Sequence, residues 1–197
     1  MNLIAKIISV VFQPLFVPVY TLILLLTSST FFFPPVYKLL LTLAFFSSTC
    51  FAPFLFCVSI FNLKSLVKLG RKERNSIYAV TFITYVFCFY ILWKMYLPFA
   101  LLVMFGGCVF AVFLLLVINF FWKISAHATV MGCCCGYIFL FALYTSQNLI
   151  ILFCISILLA GVVGWARLYL KAHTAGQVFA GYAVGLLPSL LSIVLFV

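Results

Sequence analysis

Ala166-Arg167-Leu168-Tyr169-Leu170-Lys171-Ala172-His173-Thr174-Ala175-Gly176-Gln177-Val178-Phe179-Ala180-Gly181 lies between two long apolar runs and carries one of the chain's two histidines. A lipid-embedded chain rarely tolerates charge at such a place unless the charge is used or solvated. His173 and Gln177 are four residues apart and share a face if they are helical. Arg167 is six residues before His173, about 240° away around an ideal helix. The two can meet at one site only if a helix starts near Thr174 and the residues before it form a loop. Thr174-x-x-Gln177 also spells a capping box, which on its own describes no more than a solvated helix start. Read this way, the stretch is a polar corner joining two apolar helices.

Composition extends that reading to the whole chain. It is 69% hydrophobic and 6% charged, against about 25% charged in a soluble domain. The expected fold is all-α, a polytopic membrane helix bundle. Its 197 residues hold at most seven or eight spans at about 20 residues each. No separate soluble domain fits, so residues 1–197 read as a single integral membrane domain. The apolar runs predict spans over Ile4–Leu26, Leu39–Phe61, Ser76–Trp93, Leu97–Phe121, Thr129–Tyr144, Leu149–Trp165 and Ala175–Val197. This amounts to six to seven transmembrane helices. No ten-residue alternation points to a barrel. The N-terminal run lacks a small-residue cleavage pattern and reads as a first span, not a removed signal. Trp93, Trp122 and Trp165 fall at span ends, where an interfacial aromatic belt places them.

The formal charge is +10, with Glu73 as the only acid. In a soluble protein that excess would point to nucleic acid. Here the bases lie in short loops, which points instead to the positive-inside bias, anionic headgroups or a phosphate-bearing substrate. Nucleic acid is not an expected partner. Cys133, Cys134 and Cys135 are consecutive, so on a helix they splay about 100° apart and cannot converge on one metal. The cysteines read as small apolar residues that allow close helix packing. Neither a metal nor another cofactor is expected.

With seven spans, the loops after spans two, four and six face one side, and they contain every arginine and both histidines. The positive-inside rule accounts for lysine and arginine but not for histidines that are neutral near pH 7. Three polar blocks therefore stand out: Arg71-Lys72-Glu73-Arg74, Lys123-Ile124-Ser125-Ala126-His127, and Arg167 to Gln177. Ser125 is a plausible N-cap, and a helix start offers free N–H groups to an anion. Two guanidiniums can fork onto phosphate oxygens.

An Arg, then Ser-x-His, then Arg-x5-His, in that order, resembles the type-2 phosphatidic acid phosphatase superfamily, the lipid phosphate phosphatases related to vanadium haloperoxidases. The family pattern is Lys-x6-Arg-Pro, Pro-Ser-Gly-His and Ser-Arg-x5-His-x3-Asp. The resemblance covers about Lys68 to Gly181, within a motif-bearing core of about residues 62–197. It implies a phosphatidic acid phosphatase-like core and a catalytic set in which His173 is the nucleophile and His127 the general acid. It further implies that Arg167, Arg74 and Ser125 hold the phosphate. Lys68 stands one residue short of the family's lysine spacing, and Arg71 or Lys72 can take its place. No proline follows Arg74, Ile124 and Ala126 replace the second block's proline and glycine, and Ala166 replaces the third block's serine. Gln177 stands where the family has the aspartate that orients and stabilises the histidine.

The resemblance implies a metal-independent phosphatase acting on a lipid phosphate or diphosphate in the bilayer, through a phosphohistidine. Gln177 motivates a second reading, a catalytically weak or inactive relative that binds anionic lipid phosphates. A small transporter has no support in the distribution of ionisable groups. The resemblance also implies a bacterial cytoplasmic membrane, with the site on its outer face. Nine of eleven bases on the motif side argue for the cytoplasmic face. Setting aside Arg71, Lys72, Arg74, Lys123, Arg167 and Lys171 as members of the site leaves three lysines against two, which decides neither face.

Overall fold

A computed structural model describes residues 1–27, 34–51, 53, 71–144 and 148–196. Lys68 lies outside the described residues, as do the side chains of Arg71 and Lys72. All the described secondary structure is helical. In chain order it comprises α1 (Asn2–Val11), α2 (Val17–Thr27), α3 (Pro35–Phe46), α4 (Arg71–Lys94), α5 (Phe99–Phe121), α6 (Ala126–Tyr144), α7 (Ile150–Tyr169) and α8 (Ala175–Phe196). α3 continues into a π-helical turn, Ser47–Phe51. Five helices, α4 to α8, are long and apolar enough to cross a membrane. Large apolar side chains on their outer faces, such as Phe87, Leu158 and Phe179, are exposed. A water-facing surface would not carry so continuous an apolar coat.

The expected span Ile4–Leu26 is in fact two helices of 10 and 11 residues, each about half the thickness of a bilayer core. The break is at Pro14, which has no amide hydrogen. The chain tightens there, with Gln13 N–H bonded to the Val10 carbonyl at 3.2 Å, and the Gln13 carbonyl then receives the N–H groups of Phe16 and Val17 to start the next helix. Pro18 falls in the first turn of α2, where no amide hydrogen is needed. Of the second expected span, residues 54–61 lie outside the described residues. α6 begins at Ala126, three residues before the expected start, and α7 runs on to Tyr169, past Trp165. His127 and Arg167 are therefore both helical.

α4 and α5 form an antiparallel pair. At one end Met95 to Pro98 turn the chain, with Tyr96 at φ 53°. At the other, Asn119 Nδ2 donates to Asn75 Oδ1 at 2.6 Å. α6 and α8 make the closest pairing. Gly132 and Gly136 on α6 lie against α8, and Gly181 and Gly185 on α8 lie against α6 and its Ser125 cap, so each helix presents a Gly-x-x-x-Gly stripe to the other. A Cβ at Gly181 would lie 2.7 Å from the Ser125 carbonyl, and one at Gly132 would lie 2.6 Å from the Tyr182 carbonyl. One at Gly185 would run into the Thr129 carbonyl. Close backbone approach of this kind is how helices gain contact in lipid, where the hydrophobic effect gives them no reason to associate. α7 completes this half of the bundle, with the Tyr182 hydroxyl donating to the Ala160 carbonyl. A second packed core lies between α2, α3, α4, α5 and α6, around Leu22, Leu41, Leu92, Leu101, Tyr137 and Phe141.

Candidate active site

Because α4 to α8 alternate in direction, the start of α4, the α5–α6 corner and the α7–α8 corner meet at one end of the bundle. The α7–α8 corner is built locally. Lys171 N–H bonds the Leu168 carbonyl at 2.9 Å and Ala172 N–H bonds the Arg167 carbonyl at 3.1 Å, the paired bonds of a Schellman end. That end needs a left-handed residue, and Lys171 takes φ 51° where glycine is usual. The next helix then starts on a capping box. Gln177 N–H bonds Thr174 Oγ1 at 3.4 Å, and Thr174 N–H bonds Gln177 Oε1 at 3.3 Å.

The same Gln177 Oε1 lies 3.0 Å from His173 Nδ1. An amide oxygen only accepts, so Nδ1 is the protonated nitrogen and Nε2 keeps its lone pair. The capping box and the orientation of the histidine are thus one arrangement, not competing readings. His173 is 8% exposed. Burial is the largest influence on it and pushes its pKa down. The hydrogen bond to Gln177 opposes that, and the positive charges of Arg167, Lys123 and Arg74 lower it further, to about 4. The ring is neutral at pH 7, with a free Nε2 among three cations.

The α5–α6 corner docks onto this one. Ser125 caps α6, accepting the Ala128 N–H on its hydroxyl at 3.4 Å. Its own N–H is bonded to the Gln177 carbonyl at 3.3 Å. The Ser125 amide is therefore committed, and only the hydroxyl proton is left to donate to a ligand. Lys123 Nζ bonds the Ala172 carbonyl at 3.0 Å, next to His173. Burial, then Arg74 and Arg167, push the Lys123 pKa down. Lys123 thus belongs to the cationic cluster, held there by a backbone contact that side-chain spacing does not show. Arg167, in the last turn of α7, has a buried Nε with no hydrogen-bond partner. Arg74, in the first turn of α4, lies within electrostatic reach of Arg167, His173 and Lys123.

His127, in the first turn of α6, places Nε2 3.1 Å from the Ser9 carbonyl on α1. Its ring lies within electrostatic reach of Arg167, His173 and Arg74. The site therefore draws together His173, Gln177, Arg167, Ser125, His127 and Arg74, and adds Lys123 and the Ser9 carbonyl. Among the described residues, no group of three or more His, Cys, Asp or Glu is placed to hold a metal ion. No family model, curated protein or solved structure matches this chain.

Proposed function

We propose that the chain is a membrane-embedded phosphatase that hydrolyses a lipid phosphate or diphosphate through a phosphohistidine at His173. One observation carries the reading: the buried, unpartnered Nε of Arg167 belongs to a guanidinium within electrostatic reach of a neutral histidine with a free Nε2. The charges acting on that histidine are Arg167, Lys123 and Arg74, all positive. Cations gathered where they repel one another call for an anion, and a guanidinium fits phosphate oxygens.

In the first half-reaction His173 Nε2 attacks phosphorus as the bond to the ester oxygen breaks. The substrate monoanion, whose second pKa is about 6, supplies the proton that leaves with the alcohol, relayed by His127. The product is an alcohol and a phosphoryl group on Nε2 of an imidazolium. In the second half-reaction water attacks phosphorus, the Nε2–P bond breaks, His127 takes and returns the water proton, and dihydrogen phosphate leaves. Arg167, Arg74 and Lys123 offset charge on the phosphoryl oxygens in both steps. A substrate anchored in lipid reaches such a site because it lies at the ends of apolar helices. The finer architecture belongs to the same reading: α1 to α3 complete a bundle of six to seven spans around a phosphatase-like core, in a bacterial cytoplasmic membrane with the site on its outer face.

Gln177 favours a second reading, a slow or inactive binder of lipid phosphate. An amide fixes the tautomer of His173 but stabilises its imidazolium less than a carboxylate does. The test is phosphate release in detergent, with chelator, from phosphatidic acid, phosphatidylglycerol phosphate, isoprenyl diphosphates and lipid A phosphates. Release that survives chelator and disappears in His173→Ala supports the phosphatase. A folded protein that releases none, yet is thermally stabilised by the same lipids, leaves only the binder.

A further inference from the structure

The break at Pro14 reaches the site. Pro14 has no N–H to offer the Val10 carbonyl, four residues earlier. Gln13 N–H turns to Val10 instead, at 3.2 Å, and so leaves the Ser9 carbonyl without its helical donor. His127 fills that vacancy with Nε2 at 3.1 Å, from 118 residues away. A carbonyl oxygen only accepts, so Nε2 carries the ring proton. In the neutral ring, Nδ1 is then the only atom able to take one. His173 has the opposite tautomer, set by Gln177. α1 itself is a short helix beside α7, with Ala5 and Ser9 buried and Leu3, Ile7 and Val10 exposed. Its outer face is apolar apart from Lys6, and its inner face touches the site.

We infer that α1 is a positioning element: the Ser9 carbonyl freed by Pro14 selects the Nε2–H form of His127 and reserves Nδ1 for proton transfer. An orienting group does the same for a catalytic histidine in hydrolases. The consequence for turnover rests on the phosphatase reading above, whereas the tautomer does not.

The chain's two histidines allow a direct test by nitrogen-15 NMR of the protein in detergent with only its histidine rings labelled. His173→Ala assigns the signals. The expected wild-type spectrum has one ring protonated at Nδ1 and the other, His127, at Nε2. Pro14→Ala gives Val10 a donor and returns Gln13 N–H to Ser9. The His127 ring then loses its fixed tautomer, the His173 ring stays as it was, and kcat falls roughly tenfold at unchanged KM. A His127 ring that is unmoved by Pro14→Ala, or that carries its proton on Nδ1 in the wild type, overturns the inference.

Should Pro14→Ala not fold, amide hydrogen exchange decides between His127→Gln, which keeps an N–H for Ser9, and His127→Ala, which does not. Protection of α1 in the first and its loss in the second is the expected result, and equal exchange in both overturns the inference. Tautomers as expected with no phosphate release from any substrate would sink the phosphatase and leave the positioning role standing. Phosphate release with an indifferent His127 tautomer would do the reverse.

Discussion

His173 and His127 lie at the same end of the bundle but are held in different ways. His173 is held from four residues away, by a glutamine that also caps the helix it precedes. His127 is held from 118 residues away, by a backbone carbonyl in a helix that a proline cut short. The first arrangement forms wherever that local sequence folds as a corner. The second exists only if α1 docks, and neither of its halves explains itself alone. Two imidazoles in one site can thus be given opposite tautomers by acceptors of quite different origin.

The pairing of α6 with α8 is what both arrangements depend on, and breaking it should have the largest effect. Gly185→Leu drives a side chain into the Thr129 carbonyl and separates the helices. The expected loss is about 3 kcal/mol or more, seen as a lowered unfolding temperature in detergent, and the histidine tautomers should become disordered together. Retention of both tautomers in a destabilised protein would show that the two holders act without the pairing.

Gln177→Asp sharpens the contrast by changing one holder only. A carboxylate beside His173 favours its charged form, so the midpoint should climb from about 4 towards or past the ordinary 6.5. His127 should be unaffected. Phosphate release should rise roughly tenfold or more near neutral pH, now with an acid limb that the wild type lacks above about pH 5. An NMR titration and initial rates check the two parts separately. The wild-type sign follows from the same numbers. The folded ring titrates below the unfolded one, so this residue costs stability as pH falls from about 6.5 towards 4. That loss should show in unfolding temperatures measured across the interval.

The smallest effect is expected at Lys171, in the local corner. Lys171→Gly relieves a left-handed lysine and should raise stability by about 1 kcal/mol at most. Neither tautomer should change. A shift at His173 would mean that the corner's backbone strain, and not only Gln177, sets the ring.

The same contrast explains what could be read from the sequence. The α7–α8 corner was legible because its signals are short-range: Thr174 and Gln177 at capping spacing, and Arg167 too far around a helix to meet His173 without a turn. Ser125 as a cap was legible for the same reason. The break between α1 and α2 is harder to read, because the apolar run Ile4–Leu26 continues through Pro14 and Pro18 at the length of a single span. Lys123 is legible as a base of its polar block, but its contact with the Ala172 carbonyl, 49 residues away, leaves no mark in side-chain spacing. The Ser9 carbonyl could not be found from residue types at all, since any residue supplies a carbonyl. A signal present in the sequence but easily passed over is the pair of Gly-x-x-x-Gly stripes, Gly132 with Gly136 and Gly181 with Gly185, the first of them interleaved with cysteines that also read as packing residues.

Those stripes also bear on self-association. In an apolar helix, glycines at that spacing are the usual mark of a surface on which two chains pair in the membrane. Here both stripes are covered within one chain, that of α6 by α8 and that of α8 by α6 and its Ser125 cap. If copies of this protein assemble, they must meet through other faces, and glycine substitutions meant to split a dimer would instead unfold the monomer.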